Sequence, residues 1–158
     1  MALDTIRLVT QNIYAVDKNP KDLKAREGLM LAATLGGLAF SNASICLVHG
    51  MSRPLGSNFK VPHGLSNAML LPTITEFSID HAKSRYAECS RAGNFALTND
   101  NDDIACEKLI KALYKINSDF DVPSMKTFGI NEKNFEEKLK NMAADAEISG
   151  APNLNPRV

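Results

Sequence analysis

Tryptophan is absent from this 158-residue chain, and aromatic residues make up only 6% of it. Cysteine is also scarce. The three copies, Cys46, Cys89 and Cys106, are far apart and lack the paired spacing of a zinc ribbon or of a CxxC redox motif. Because the number of thiols is odd and none is paired by spacing, we expect a reducing, cytoplasmic environment.

An excess of either charge is missing too: 18 basic side chains balance 18 acidic ones. A chain with no net charge has no overall field to hold it on nucleic acid or on an anionic membrane. No apolar run approaches the roughly 20 residues needed to span a bilayer, and the opening MALDTIRLVT lacks the pattern of a signal peptide. We therefore predict a soluble protein with neither nucleic acid nor membrane as partner.

Strand patterns are absent as well, because β-branched residues nowhere alternate over five or more positions. Apolar residues recur instead at helical spacing, first at Leu3, Ile6, Val9 and Ile13, in a segment that ends before Pro20. The further predicted helices cover 20–50 (one long helix or two abutting ones), 62–77, 81–97 capped by Asp80, 103–117, and 131–148 capped by Asn131. The pattern predicts an all-α bundle in one domain.

Two adjacent glycines, Gly36 and Gly37, lie inside the predicted helix that follows Pro20, among several alanines. Each glycine inside a helix costs about 1 kcal/mol relative to alanine. Close packing against another helix would offset that cost. We therefore predict a tight helix contact at this cluster.

Two of the three histidines, His49 and His63, lie in one compact stretch. Neutral imidazole is a common ligand of iron and zinc. Two ligands do not make a tight site by themselves, since zinc normally takes at least three from the protein. From spacing alone, the favoured explanation of the pair is one helix-capping histidine and one hydrogen-bonded core histidine.

The stretch HGMSRPLGSNFKVPHGLSNAMLLP, with FSNASICLVHG leading into it, resembles the signature of iron-containing alcohol dehydrogenases. The opening LDTIRLV and the closing NPRV resemble the two ends of the same region, so the resemblance covers essentially the whole chain. It implies that residues 1–158 form the helical, metal-binding C-terminal domain of the dehydroquinate synthase-like fold, without the nucleotide-binding domain and the last helix. We therefore expect the isolated chain to be inactive.

In that family one aspartate and three histidines hold the metal, and the resemblance assigns the last two ligands to His49 and His63. It implies Fe²⁺ or Zn²⁺ as the metal, and NAD or NADP bound mainly by an N-terminal domain that lies outside this sequence. The implied partners are that domain, further copies in a homo-oligomer, and a small alcohol, aldehyde or oxo-acid substrate. The competing hypothesis is a non-catalytic helical interaction module.

Arg53 stands where many family members carry a second histidine, four residues after the first. Its planar guanidinium suits a carboxylate or a cofactor phosphate, and the HGMS and VPHGLS strings also resemble the hydroxyacid-oxoacid transhydrogenase branch. The resemblance further places Phe40 and Ser149 in the substrate pocket. The alternatives are a solvated or ion-paired surface Arg53, a core position for Phe40 and a helix-ending turn at Ser149. His81 matches no ligand and is expected at the surface.

Overall fold

The computed structural model describes residues 1–157, and no strand occurs among them. The predicted all-α class is confirmed. The helices are α1 (Ala2–Lys18), α2 (Leu23–Ala43), α3 (Leu47–Phe59), α4 (His63–Ser78), α5 (Lys83–Ala92), α6 (Asp102–Asp119) and α7 (Glu132–Ile148), with short 3-10 turns at Ile79–His81 and Pro152–Leu154.

The chain divides into two compact units, which are described separately. The first unit contains residues 1–44 and 82–109. In it α1 packs along α2, and α5 packs against α1. A Cβ added to Gly36 would lie 3.4 Å from Thr5 Cγ2 of α1, and one added to Gly28 would lie 2.6 Å from Asn12 Nδ2. The tight approach therefore lies at Gly28, outside the predicted cluster, whereas a side chain at Gly36 would make only ordinary van der Waals contact with α1.

Gly37 does not share this packing, because a Cβ at this position would meet nothing within 4 Å. We expect Gly37→Ala to raise the free energy of unfolding by about 0.5–1 kcal/mol, the usual gain for alanine in an open helical position. Gly28→Ala is the matched control and should lower stability, since its methyl group would collide with Asn12. Urea denaturation of both variants measures the difference, and destabilisation by Gly37→Ala would show an unseen contact.

The second unit contains residues 45–81 and 110–157. Its core is apolar, and α3 lies at the centre of it, packed against both α4 and α7. The buried members of this core are Leu55, Val61, Leu70, Ile74 and Met142. The candidate histidines belong to α3 and α4, so this core positions them.

The predicted helix over residues 20–50 is two helices, as one of the two interpretations had it. The break falls between Ala43 and Leu47, where Ser44 adopts a left-handed φ of 70°. The second helix then runs on to Phe59 and includes Pro54 within it. This extension was not predicted, because a proline inside a helical segment is a breaking signal.

The cap predictions have different outcomes. Asn131 caps α7 as predicted, and its Oδ1 accepts a hydrogen bond from Asn134 N at 3.1 Å. The Asp80 cap is wrong: Asp80 lies within the 3-10 turn Ile79–His81, and α5 begins only at Lys83. This helix also ends at Ala92 rather than 97, because Asn94 takes a left-handed φ of 64°.

Within residues 1–157, no helix alone combines the length and apolar character needed to cross a bilayer. Taken together, α2 and α3 meet the length and composition requirement, but a break separates them.

Candidate metal centre

The junction of α3 and α4 places the two histidines. A left-handed Lys60, with a φ of 57°, ends α3, and Pro62 precedes the first residue of α4, which is His63. Buried Val61 anchors this short turn in the core. Gly56 permits a close approach here, since a Cβ on it would lie 3.2 Å from the Val61 carbonyl oxygen.

His49, in the first turn of α3, and His63 have ring centroids 5.3 Å apart and planes tilted by 54°. At this separation two imidazoles can bind one cation, provided both are neutral. Burial lowers the pKa of His49, and the positive charges of His63 and Arg53 lower it further. The neutral, metal-binding form of His49 is therefore favoured to lower pH than in an exposed histidine.

An open cleft of about 500 Å³ adjoins His49, with a mostly apolar wall. It is lined by Cys46, Val48, His49, Gly64, Asn67, Ala68 and Leu71. The Asn67 amide nitrogen lies 3.2 Å from His63 Nε2. The amide oxygen of Asn67 is buried and has no donor in the described part of the chain. The open, mostly apolar cleft beside the two imidazoles has room for a small alcohol.

A third metal ligand is not found among residues 1–157, where no three His, Cys, Asp or Glu side chains form a cluster suited to a metal. Cys46 lines the same cleft, but its Sγ donates to the Leu154 carbonyl at 3.3 Å. Burial also raises the pKa of this thiol, which keeps it protonated near neutral pH. The residues fit half of a four-ligand metal site.

Arg53 follows His49 by one helical turn on α3, and its side chain is exposed. Asn67 was not identified from the sequence, although it follows His63 by the same one-turn spacing on α4. This four-residue spacing is the sequence signal that could have pointed to Asn67 as a neighbour of His63.

The structure also places the remaining residues of interest. Ser149 belongs to the turn that ends α7: its hydroxyl donates to the Ala146 carbonyl at 2.6 Å and accepts from Ala151 N at 3.3 Å. Phe40 is 55% exposed on α2 and so lies outside the core that residues 1–157 form by themselves. His81 is exposed in the 3-10 turn, as expected. The pocket roles of Phe40 and Ser149 stay predictions.

The family model for the "Fe-containing alcohol dehydrogenase family, C-terminal" matches this chain over residues 1–158. The chain belongs to this family. Among curated members of the iron-containing alcohol dehydrogenase family, it is 34% identical over 146 residues to alcohol dehydrogenase 4 of Saccharomyces cerevisiae. It is 31% identical over 157 residues to 1,3-propanediol dehydrogenase of Klebsiella pneumoniae. These alignments cover 92% and 99% of this chain.

Solved structures of iron-containing alcohol dehydrogenase relatives share the fold. A 1,3-propanediol oxidoreductase superimposes with a TM-score of 0.90 at 30% identity, and an alcohol dehydrogenase from Oenococcus oeni with a TM-score of 0.89 at 30% identity. Both superpositions cover 99% of this chain but only 40% of the other. The curated relatives show the same proportion, with 37% and 40% of their lengths matched. The chain thus spans about two-fifths of the relatives it matches.

Proposed function

We propose that this chain is the metal-binding C-terminal part of an NAD(P)-linked alcohol dehydrogenase. The observation that carries the proposal is the pair of His49 and His63 rings, 5.3 Å apart beside an open cleft. Membership of the iron-containing family supports the reaction class. The overall reaction would convert an alcohol to an aldehyde or ketone, with hydride passing to the nicotinamide and a proton to solvent.

The metal contributes chemistry that the side chains cannot supply: a bound Fe²⁺ or Zn²⁺ lowers the pKa of an alcohol oxygen. His49 and His63 would hold the ion in the proposed site. The Asn67 side chain, whose amide nitrogen lies 3.2 Å from His63 Nε2, would help to hold that imidazole in place. The apolar side chains of Val48 and Leu71 would cover the carbon chain of the substrate and exclude water from it.

The remaining ligands and the nucleotide site are proposed to lie on polypeptide outside this sequence. Two observations support this: the described residues offer only two clustered ligands, and they contain no strand on which a glycine-rich nucleotide turn could be built. In this proposal, half of the metal site belongs to α3 and α4, and the other half comes from the nucleotide-binding part.

The isolated chain provides the first test. We expect it to bind Zn²⁺ weakly and to hold far less than one ion per chain after dialysis, because a catalytic metal normally needs three protein ligands. Calorimetric titration with Zn²⁺ should show weakened binding in His49→Ala and in His63→Ala. His81→Ala is the matched control, since it removes an exposed imidazole far from the pair in sequence, and it should bind as the unchanged chain does.

Two results would contradict the proposal. Equal loss of Zn²⁺ binding in His81→Ala would show nonspecific binding to surface imidazoles. Retention of one tightly held ion per dialysed chain would show that ligands outside this sequence are not required.

A further inference from the structure

Arg53 differs from the other arginines in its lack of a partner among residues 1–157. Three of the six arginines have a carboxylate within 4 Å, namely Arg7, Arg85 and Arg91. Arg26 donates to a backbone carbonyl, and Arg157 donates to another while lying over a phenyl ring. Arg53 alone has no hydrogen bond or ion pair within the described chain.

Arg53 lies near His49 on α3, although it is not among the residues that line the cleft. Arg53 follows His49 by four positions, which corresponds to one turn and about 6 Å of rise along α3. The two side chains therefore project from the same face of the helix. The residues that line the cleft beside His49 include no aspartate or glutamate. The chain thus presents a cation, without an internal counter-ion, one turn from a cleft suited to an alcohol.

We infer that Arg53 selects hydroxy acids by pairing with the substrate carboxylate while the hydroxyl group lies at the His49–His63 pair. This inference rests on the proposed function. A guanidinium fork binds a carboxylate through two parallel hydrogen bonds, which fixes the orientation of the acid as well as its charge. The one-turn spacing corresponds to the length of a three- or four-carbon hydroxy acid, so both ends of one small molecule can be held at once.

The reaction keeps the carboxylate unchanged. The carbinol C–H bond breaks, and its hydride reduces the nicotinamide of NAD(P)⁺. The hydroxyl proton leaves to solvent, and the carbinol carbon is oxidised to a carbonyl. The products are an oxo acid and NAD(P)H.

The test compares 3-hydroxypropanoate with 1,3-propanediol in the metal-loaded enzyme that contains both this chain and the nucleotide-binding part. The two substrates differ by one carboxylate in place of one hydroxymethyl group. We expect Arg53→Ala to lower the ratio of their kcat/KM values by about 10- to 100-fold, the range for losing a charge-assisted hydrogen bond. The change should appear mainly in KM for the acid, and Arg53→Lys should recover only part of the ratio.

Lys140→Ala is the matched control. Lys140 is exposed and carries the same charge, but it belongs to α7 and does not line the cleft beside His49. Its removal should change the substrate ratio by less than about 2-fold, because a charge in open solvent is screened. A second readout needs no turnover: calorimetric binding of 3-hydroxypropanoate to the metal-loaded enzyme should weaken in Arg53→Ala.

Several outcomes would overturn the inference. An unchanged ratio in Arg53→Ala, or an equal change in Lys140→Ala, would show that Arg53 does not recognise the carboxylate. A raised KM for NAD(P)⁺ with an unchanged substrate ratio would assign Arg53 to the cofactor phosphates. Oxidation of the diol but not of the acid would refute this inference and leave the proposed function intact. Failure to oxidise either alcohol would count against the proposed function itself.

Discussion

His63→Ala is expected to lower kcat/KM for alcohol oxidation at least about 1000-fold in the enzyme that contains both this chain and the nucleotide-binding part. Polarisation of the alcohol oxygen by a metal contributes several kcal/mol to the rate, and each 1.36 kcal/mol corresponds to a factor of ten. Removing one of the two imidazoles, whose ring centroids are 5.3 Å apart, would abolish that contribution. Alcohol-dependent reduction of NAD(P)⁺ measures the rate, and elemental analysis measures the metal content.

The same substitution at two other histidines completes this experiment. His49→Ala should match His63→Ala in both rate and metal content, because both rings belong to the proposed site. His81→Ala should retain the rate and the metal, since His81 is exposed in the 3-10 turn. An active, metal-loaded His63→Ala enzyme would refute the assignment of His63 as a ligand.

Leu55→Ala is expected to lower the free energy of unfolding by about 2–5 kcal/mol, the usual cost of emptying a well-packed leucine position. Leu55 is 1% exposed, and it belongs to the core cluster that also holds Val61 and Leu70. Because α3 carries both Leu55 and His49, the loss of this side chain should also loosen the helix that positions the candidate ligand. Urea denaturation monitored by circular dichroism measures the first effect, and Zn²⁺ titration measures the second.

Leu139→Ala is the matched control for Leu55. It removes the same atoms from α7 in the same unit, but Leu139 is 49% exposed. We expect a cost below about 1 kcal/mol, since a half-exposed leucine leaves only a small cavity and loses little burial. Similar losses at the two positions would show that Leu55 does not hold the core together.

Local sequence signals correctly predicted the helix ends that depend on a neighbouring proline or capping residue. The end of α1 before Pro20 and the Asn131 cap of α7 were both predicted, because proline and a capping side chain act over one turn of helix. The break after Ala43 has no such signal. It depends on a serine in a left-handed conformation, which the packing of the rest of the chain must stabilise.

The candidate site shows the same division between local and tertiary information. Imidazole chemistry and the family resemblance pointed to His49 and His63 as candidate metal ligands. Their spacing in sequence could not give the distance of 5.3 Å between their ring centroids. Asn67 was missed because an asparagine in a helix usually has no functional role. Only the structure shows that its amide oxygen is buried without a donor among residues 1–157.

The short turn between α3 and α4 has a consequence for how the two histidines come together. His49 and His63 are separated by only 14 positions, so bringing them together closes a small loop at a modest cost in chain entropy. Folds rich in contacts this close in sequence form fast. This part of the chain can therefore bring its own two imidazoles together, whatever polypeptide supplies the other ligands of the proposed site.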